Sequence, residues 1–212
     1  MRPAGILPHY RILAVAGVAL LHLLAYLVVT RINAARPEQA LWDLATALDG
    51  SIPHLPLTWP LYWLVYPFVP VVGLLAMRRM PDPVFRRCVL AFSGMLLLGA
   101  VVQLLLPARA PWPESPAPMQ DFYHSSGLVL PYANLPSMHV AFAVLAAAMY
   151  GSVSPSRGRP LIAAAGAAGI TLATLTLKEH YVLDAVAGVA LALGTWWWWR
   201  SRAETVTWRV GR

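Results

Sequence analysis

Hydrophobic residues gather in six long runs along the chain, separated by shorter stretches that carry most of the charged side chains. A helix needs about 20 predominantly apolar residues to cross the hydrocarbon core of a bilayer. The first three runs reach that length, and the last three fall slightly short of it, as closely packed helices tolerate. The pattern predicts transmembrane helices near residues 11–30, 58–77, 87–106, 137–153, 161–177 and 181–199.

The composition of the chain supports a location in the membrane. Apolar residues make up 58% of the 212 residues and charged residues only 12%, whereas soluble domains carry about 25% charged residues. No small-residue cleavage site follows the first run, so we expect a retained helix there and not a signal peptide. The sequence therefore predicts an all-α, polytopic membrane protein. Its six transmembrane helices are expected to form a compact bundle, a single membrane-embedded domain over residues 1–212.

The basic residues predict how the helices are oriented. Cytoplasmic loops of membrane proteins are enriched in lysine and arginine, and twelve of the 16 basic residues fall in one set of loops. We expect this set and both termini to face the cytoplasm, in a multi-pass protein of the cell membrane. Since the charges are dispersed between apolar segments, the net charge of +7 does not indicate a nucleic-acid partner. The cytoplasmic set comprises Arg2, Arg11, Arg78, Arg79, Arg86, Arg87, Arg157, Arg159, Arg200, Arg202, Arg209 and Arg212, and the outer set Arg31, Arg36, Arg109 and Lys178.

Two long loops are predicted on the outer side. Residues 31–57 contain leucines at helical spacing, which predicts a short amphipathic helix lying on the outer leaflet. Residues 107–136 are rich in proline and are expected to be irregular and to cover the bundle. On the inner side, the tryptophan run at 196–199 is typical of an aromatic anchor at the membrane interface.

Polar residues gather where the fourth predicted helix begins, on the outer side. Pro136 and Ser137 suit the opening of a helix, because proline fits the first turn and serine caps free backbone N–H groups. Such a helix start carries a partial positive charge and favours an anion such as phosphate. His139 then lies in the first turn, beside any phosphate bound there.

The sixth predicted helix begins with a second polar group. His180 and Asp184 are four residues apart, so they share one face of a helix. An ionised aspartate at membrane depth costs about 2.5–3.5 kcal/mol on insertion scales and needs a partner. If Asp184 accepts a hydrogen bond from one ring nitrogen of His180, the other nitrogen is unprotonated. That arrangement is typical of an activated histidine nucleophile.

These two segments resemble signatures of a known family. PSMH at 136–139 and HYVLD at 180–184 look like the second and third signatures of the type 2 phosphatidic acid phosphatase superfamily. Their context, NLPSMHVA and KEHYVLDAVAG, is most similar to the inositolphosphotransferase-like branch, which includes the inositol phosphorylceramide synthases. The resemblance covers the C-terminal half closely, with the signature region at 103–190.

The resemblance implies a role for each matching residue. His180 would attack phosphorus and form a phosphohistidine, Asp184 would orient it, and His139 would protonate the leaving oxygen. Ser137, Met138 and the backbone amides near them would hold the phosphate. No metal or other cofactor is implied, because fixed positive groups and helix termini supply the stabilisation that phosphoryl transfer requires.

The sequence departs from the family pattern at its cations. Gln103 occupies the spacing of the lysine in the first signature, and Ala173 and Thr174 occupy the Ser-Arg positions of the third. Lys178 and Arg109 are the candidate replacements, as ligands of the substrate phosphate.

Several functions remain open at the level of sequence. Water attacking the phosphohistidine would make the protein a lipid phosphatase, whereas an attacking alcohol would make it a headgroup phosphotransferase. The partner in both reactions is a lipid phosphate from the outer leaflet. A non-catalytic lipid-binding protein is a further alternative. A zinc hydrolase is another, with the two histidines and the aspartate as ligands. Asp49, His54 and His124 are weaker candidates for the entrance, and His22 is expected to be a packing residue. The oligomeric state is not predicted.

Overall fold

A computed structural model of the protein describes residues 9–113, 116, 118–127, 130–156 and 158–203. Four of the predicted cytoplasmic arginines, Arg2, Arg157, Arg209 and Arg212, lie outside these residues. The described residues contain no strand, only an isolated backbone pair between Trp42 and Ala108. The helices are α1 (His9–Ala34), α2 (Ala47–Ser51), α3 (Trp59–Trp63), α4 (Val65–Met77), α5 (Asp82–Leu105), α6 (Pro118–Ser125), α7 (Met138–Val153), α8 (Gly158–Thr176) and α9 (Val182–Ala203).

The all-helical fold is confirmed, and five of its helical segments are long and apolar enough to cross a membrane. The sixth apolar helix, α7, has 16 residues, fewer than a typical span. The prediction of six crossings therefore stays a prediction. The five segments are His9–Ala34, Pro56–Met77, Asp82–Leu105, Gly158–Thr176 and Val182–Arg202.

Helix α7 lies at the centre of the bundle. It is apolar on every side and most of its residues are buried, which is the pattern of a core helix. Helices α4, α8 and α9 pack around it, α5 packs against α9, and α1 packs on α5 at the periphery. Small residues allow the close approach of α8 to α7, with Ala163, Ala167 and Ala173 among its buried positions.

Proline divides the second predicted span. A short 3₁₀ turn at Pro56–Thr58 is followed by α3 and, after Leu64, by α4. Pro67 has no N–H to donate to the carbonyl of Trp63, four residues earlier, so the regular hydrogen-bond ladder is interrupted there. The interruption places α3 near the site end of the bundle, where it packs on α8.

The end of the bundle opposite to the starts of α7 and α9 is rich in arginine. The buried Arg11 binds the carbonyls of Met77 and Met80 and forms an ion pair with Asp82 at 2.5 Å, which joins α1 to the turn between α4 and α5. The described arginines at helix ends on this side include Arg78, Arg79, Arg86, Arg87, Arg200 and Arg202. These arginines lie at the same end of the bundle, as predicted from the distribution of basic residues among the loops.

Three local predictions are corrected by the structure. The loop at 31–57 forms no single amphipathic helix, because α1 continues to Ala34 and the backbone of Trp42 then pairs with that of residues 107 and 109. The loop at 107–136 is not wholly irregular, since it contains α6. The tryptophan run is not a uniform lipid-facing anchor: Trp199 is buried, and the indole N–H of Trp196 donates to Ser152.

Helices α7 and α9 cross in close contact because α9 has a glycine at the crossing. A Cβ atom at Gly188 would lie 2.6 Å from the carbonyl oxygen of Ser137 and 3.2 Å from the Cβ of Val140. No real Cβ atom tolerates the first of these distances, so any side chain at this position forces the two helices apart.

We therefore expect Gly188→Ala to destabilise the protein by about 1–3 kcal/mol, the usual cost of overpacking a well-packed contact. Gly194→Ala is the matched control, because it lies in the same helix and a Cβ there meets nothing within 4 Å. Thermal unfolding of the purified proteins measures the difference. Equal unfolding midpoints for the two variants would contradict the close crossing.

Candidate active site

The starts of α7 and α9 are joined by a backbone hydrogen bond. The N–H of Ser137 donates to the carbonyl of Asp184 at 3.0 Å. Each helix carries a histidine near this junction, and the rings of His139 and His180 have their centroids 6.0 Å apart. The structure therefore brings together two polar groups whose histidines are 41 residues apart in the sequence.

The start of α7 is held by hydrogen bonds from its own cap and from α5. The hydroxyl oxygen of Ser137 accepts the N–H of Val140 at 3.4 Å, so the predicted cap is present. The buried side chain of Gln103 donates to the carbonyls of Ala133 at 3.0 Å and Pro136 at 3.1 Å. The residue at the spacing of the family lysine thus supports the segment that leads into the site.

The turn between α8 and α9 directs His180 toward the junction. The carbonyl of Thr174 accepts the N–H groups of both Glu179 and His180. Lys178 adopts a left-handed conformation with φ of 59°, which ends α8 sharply. A residue other than glycine costs about 1–2 kcal/mol in that conformation, and the hydrogen bonds of the turn offset this cost.

His180 and Asp184 face each other at the start of α9. Nδ1 of His180 lies 3.5 Å from Oδ2 of Asp184, an ion-pair separation that is longer than a good hydrogen bond. The same Oδ2 accepts the backbone N–H of Tyr181 at 2.9 Å. Both Nδ1 of His180 and Oδ1 of Asp184 are buried without a hydrogen-bond partner among the described residues. The structure therefore brings together the two groups of the predicted contact at an ion-pair separation.

Two aromatic rings hold the imidazole of His139. It stacks on Tyr62 with centroids 4.7 Å apart and meets Tyr66 edge-on at 6.0 Å. Tyr62 is itself stacked on Trp59 at 5.3 Å. These contacts fix the plane of the ring, and sequence reasoning missed them because nothing in the spacing of the tyrosines indicates which histidine they meet.

The ring of His180 borders two cavities of different character. The outer cavity has a volume of about 370 Å³, and its lining includes Asp49, His54 and Lys178. The inner cavity, of about 730 Å³, has a mainly apolar lining from α1, α4, α5 and α7 and also contains His139. His180 therefore lies between an outer cavity that has Lys178 on its wall and a larger, mainly apolar inner cavity.

Lys178 lies on the wall of the outer cavity, but its ammonium group already has two partners. It donates to the carbonyls of Asp49 at 2.7 Å and Ile52 at 2.6 Å. An ammonium group has three N–H donors, so one donor remains for a ligand. Asp49 and His54 line the same cavity, whereas His22 packs edge-on against Phe142.

The carboxylate of Asp49 caps the start of α9 from outside the helix, accepting the N–H of Val182 at 2.8 Å. Burial raises the pKa of this carboxyl, but hydrogen bonds from Thr46 and Val182 outweigh burial, and the net pKa is lowered. Because the folded state has the lower pKa, this stabilisation is present above the ordinary aspartate pKa and is lost as the pH falls below it.

Two predicted phosphate ligands, Arg109 and Met138, do not line the outer cavity. Arg109 lines neither cavity and forms ion pairs with Asp43 at 2.6 Å and Glu38 at 3.5 Å. Its hydrogen bond lowers the pKa of the Asp43 carboxyl to about 2. The side chain of Met138 packs into the core, where its sulfur lies 2.5 Å from the position of a Cβ at Gly99.

A buried acid beside His180 was missed by the sequence analysis. The carboxylate of Glu179 accepts hydrogen bonds from Gln120 at 2.7 Å and from His124 at 2.9 Å, both on α6. The ring of His124 also stacks on Trp112 at 3.6 Å. These contacts attach α6 to the turn that carries His180. No signal in the sequence marked Glu179, because α6 itself was predicted to be irregular.

These observations define a class of protein. Its members are all-helical bundles with several apolar helices and a His–His–Asp group at two joined helix starts. Within that class, the chain belongs to the PAP2 superfamily, whose sequence model matches residues 53–198. Membership supports an enzyme with phosphatase-type phosphoesterase activity. No individual curated protein matches the sequence. In the described part of the chain, no group of three or more His, Cys, Asp or Glu residues is arranged to hold a metal ion.

The network around Glu179 predicts that α6 is released when this side chain is shortened. Glu179→Ala removes the acceptor of two hydrogen bonds, so amide hydrogen exchange in residues 118–125 should rise. Asp121→Ala is the control, since this exposed aspartate lies on the same helix. Unchanged exchange of α6 in the Glu179 variant would show that other contacts hold the helix.

Proposed function

We propose that the protein is a metal-independent lipid phosphatase that acts through a phosphohistidine on a lipid phosphate. One observation carries this proposal. The imidazoles of His139 and His180 lie on joined helix starts with ring centroids 6.0 Å apart, and His180 borders both an outer cavity with Lys178 on its wall and a larger, mainly apolar cavity that it shares with His139. A lipid phosphate combines a charged group, which Lys178 favours, with an apolar body that suits the inner cavity.

The proposed reaction gives one role to each of the three side chains. Nε2 of His180 attacks phosphorus, a bond from nitrogen to phosphorus forms, and the bond from phosphorus to the ester oxygen breaks. Asp184 faces Nδ1 and balances the charge that develops on the ring. His139 donates a proton to the leaving alkoxide, and the lipid alcohol departs.

Hydrolysis of the intermediate uses the same groups in reverse. His139, now neutral, accepts a proton from a water molecule as the water oxygen attacks phosphorus. The bond between His180 and phosphorus breaks and inorganic phosphate leaves through the outer cavity. The free backbone N–H groups at the start of α7 and the remaining donor of Lys178 favour the negative charge on the phosphate throughout.

We further propose that the site faces the outside of the cell membrane. Support comes from the arginine-rich end of the bundle, which lies opposite to the starts of α7 and α9. Cytoplasmic ends of membrane proteins are enriched in basic residues. A lipid phosphate in the outer leaflet would then reach the site from the side, without crossing the bilayer.

A second candidate is a headgroup phosphotransferase, in which an alcohol replaces water. The outer cavity favours it, because about 370 Å³ beyond His180 exceeds the space that one water molecule needs. The similarity of the motifs to the inositolphosphotransferase-like branch agrees with this reaction. We place hydrolysis first because it needs no acceptor other than water.

Substitution of either histidine tests the mechanism. His180→Ala and His139→Ala should each lower turnover of a lipid phosphate by at least about 10³-fold, the usual cost of losing a nucleophile or an acid–base group. An acid-labile phosphoprotein should form in the wild type and disappear in His180→Ala. His9→Ala is the control, since His9 is exposed at the far end of α1. Near-normal turnover by His180→Ala would refute the proposal.

The products distinguish the two candidate reactions. Purified protein is incubated with phosphatidic acid and with phosphatidylinositol, with and without added inositol or glycerol, in the presence of a chelator. If the protein is a metal-independent hydrolase, it should release free phosphate from phosphatidic acid at the same rate with and without the chelator. A new headgroup lipid that forms only with the added alcohol would instead establish transfer. Loss of activity on chelation, restored by zinc, would establish a metal-dependent reaction.

A further inference from the structure

The inner cavity extends from the two histidines deep into the bundle. On α4 its lining runs from Val65 to Met77, and on α5 from Gln103 to Val89. At a rise of 1.5 Å per residue, the α4 stretch corresponds to a depth of roughly 18 Å. One leaflet of a bilayer contributes about half of a hydrocarbon core that is about 30 Å thick. The depth of the cavity therefore matches that of one leaflet.

The lining of this cavity on α4 ends at Met77, next to a group of polar contacts. Arg11 binds the carbonyls of Met77 and Met80 directly below the last lining residue of α4. The apolar lining on α4 therefore extends no further than Met77.

The long side of the cavity lies between two helices that barely touch. Helix α1 packs on α5 and α4 packs on α7, whereas the described residues of α1 and α4 share no extensive contact. Residues from both helices line the cavity, including Val15, Val18, Val69 and Gly73. The gap between α1 and α4 therefore gives a chain in the membrane a sideways route to the histidines.

Gly73 occupies a special place on the wall. It is buried and lines the cavity, yet a Cβ atom built on it meets nothing closer than Cε of Met77 at 4.0 Å. A side chain at this position would thus extend into the cavity without displacing the helices. It lies eight residues beyond Val65, roughly 12 Å below the top of the α4 wall.

We propose that the inner cavity takes one apolar chain of the phosphate substrate and that Gly73 sets the length of chain that fits. This inference rests on the proposed function, because the reacting phosphate defines the mouth of the cavity. The substrate class is a phosphate monoester with at least one long, unbranched apolar chain. The affinity for chains that end above Gly73 should not depend on the residue at that position. The affinity for longer chains should depend on the absence of a side chain there.

The test measures binding and does not require turnover. Purified full-length protein in detergent is titrated with butyl-, octyl- and dodecylphosphonate, which are non-hydrolysable, each below its micelle-forming concentration. In the wild type, affinity should rise about fourfold with each added methylene, the gain from burying that group. Gly73→Leu should bind the butyl and octyl compounds like the wild type and bind the dodecyl compound at least about tenfold more weakly.

Two further variants make the result decisive. Gly94→Leu is the matched control, because Gly94 lies on the exposed side of α5 and a Cβ there meets nothing within 4 Å. Val18→Phe narrows the cavity from α1 and should give the same loss for the dodecyl compound if Gly73→Leu does not fold. Binding of dodecylphosphonate that equals the wild type in both cavity variants would overturn the proposal.

The outcomes separate this inference from the proposed function. If the wild type binds phosphonates in the predicted order of chain length but releases no phosphate from any lipid phosphate, the cavity proposal stands and the phosphatase proposal fails. If the protein releases phosphate but its affinity is independent of chain length, the function stands and the cavity proposal fails.

Discussion

One backbone hydrogen bond, from the N–H of Ser137 to the carbonyl of Asp184, joins the two helix starts on which the site depends. It forms because Gly188 has no side chain, so α9 can lie against α7 with its carbonyl within reach. This contact fixes the distance between His139 and His180. Two imidazoles can act on the same phosphate only if their helices stay in this register, so chemistry and packing depend on the same few atoms.

The surroundings of the junction explain why each side chain points where it does. Gln103 holds the approach to α7, and Asp49 and Lys178 hold the turn before α9. The network at Glu179 then attaches α6 above the site. Buried polar groups of this kind are costly when they lack partners and restrict the structure when they are paired. The site is consequently supported from several elements of the chain.

The position of the site matters as much as its residues. His180 borders both the outer cavity, which has Lys178 on its wall, and the larger, mainly apolar inner cavity. A phosphate with an apolar chain can therefore present phosphorus to the ring while its chain stays out of water. This arrangement gives a physical reason for combining the phosphatase-type chemistry of the PAP2 superfamily with a lipid substrate.

Much of this architecture follows from the sequence, since long apolar runs leave few alternatives to helices. The starts of α7 and α9, at Met138 and Val182, were close to the predicted ones. Ser137 marks the first locally, whereas the cap of the second, Asp49, comes from a distant loop. The ion pairs of Arg109 and the hydrogen bonds of Glu179 were not predicted, because no local signal marks them. Their partners lie on distant loops, and the partner of a charged side chain is set by tertiary packing that spacing along the chain does not encode.

The surroundings of α7 show the same limit. The mainly apolar run at 137–153 predicts a membrane span, and the helix that forms there has 16 residues, most of them buried against other helices. Hydropathy alone cannot distinguish contact with lipid from contact with other helices. Likewise, the two tyrosines that hold His139 lie on either side of the break between α3 and α4, and periodicity alone does not predict that α3 packs beside α8.

Orthovanadate mimics phosphorus under attack, so a crystal structure of the protein with vanadate bound shows whether His139 and His180 act on the same phosphate. We expect vanadium within bonding distance of Nε2 of His180 and an apical oxygen within hydrogen-bonding distance of His139. Vanadate bound away from His180, or coordinated there with His139 too far away to reach any of its oxygens, would contradict the shared site.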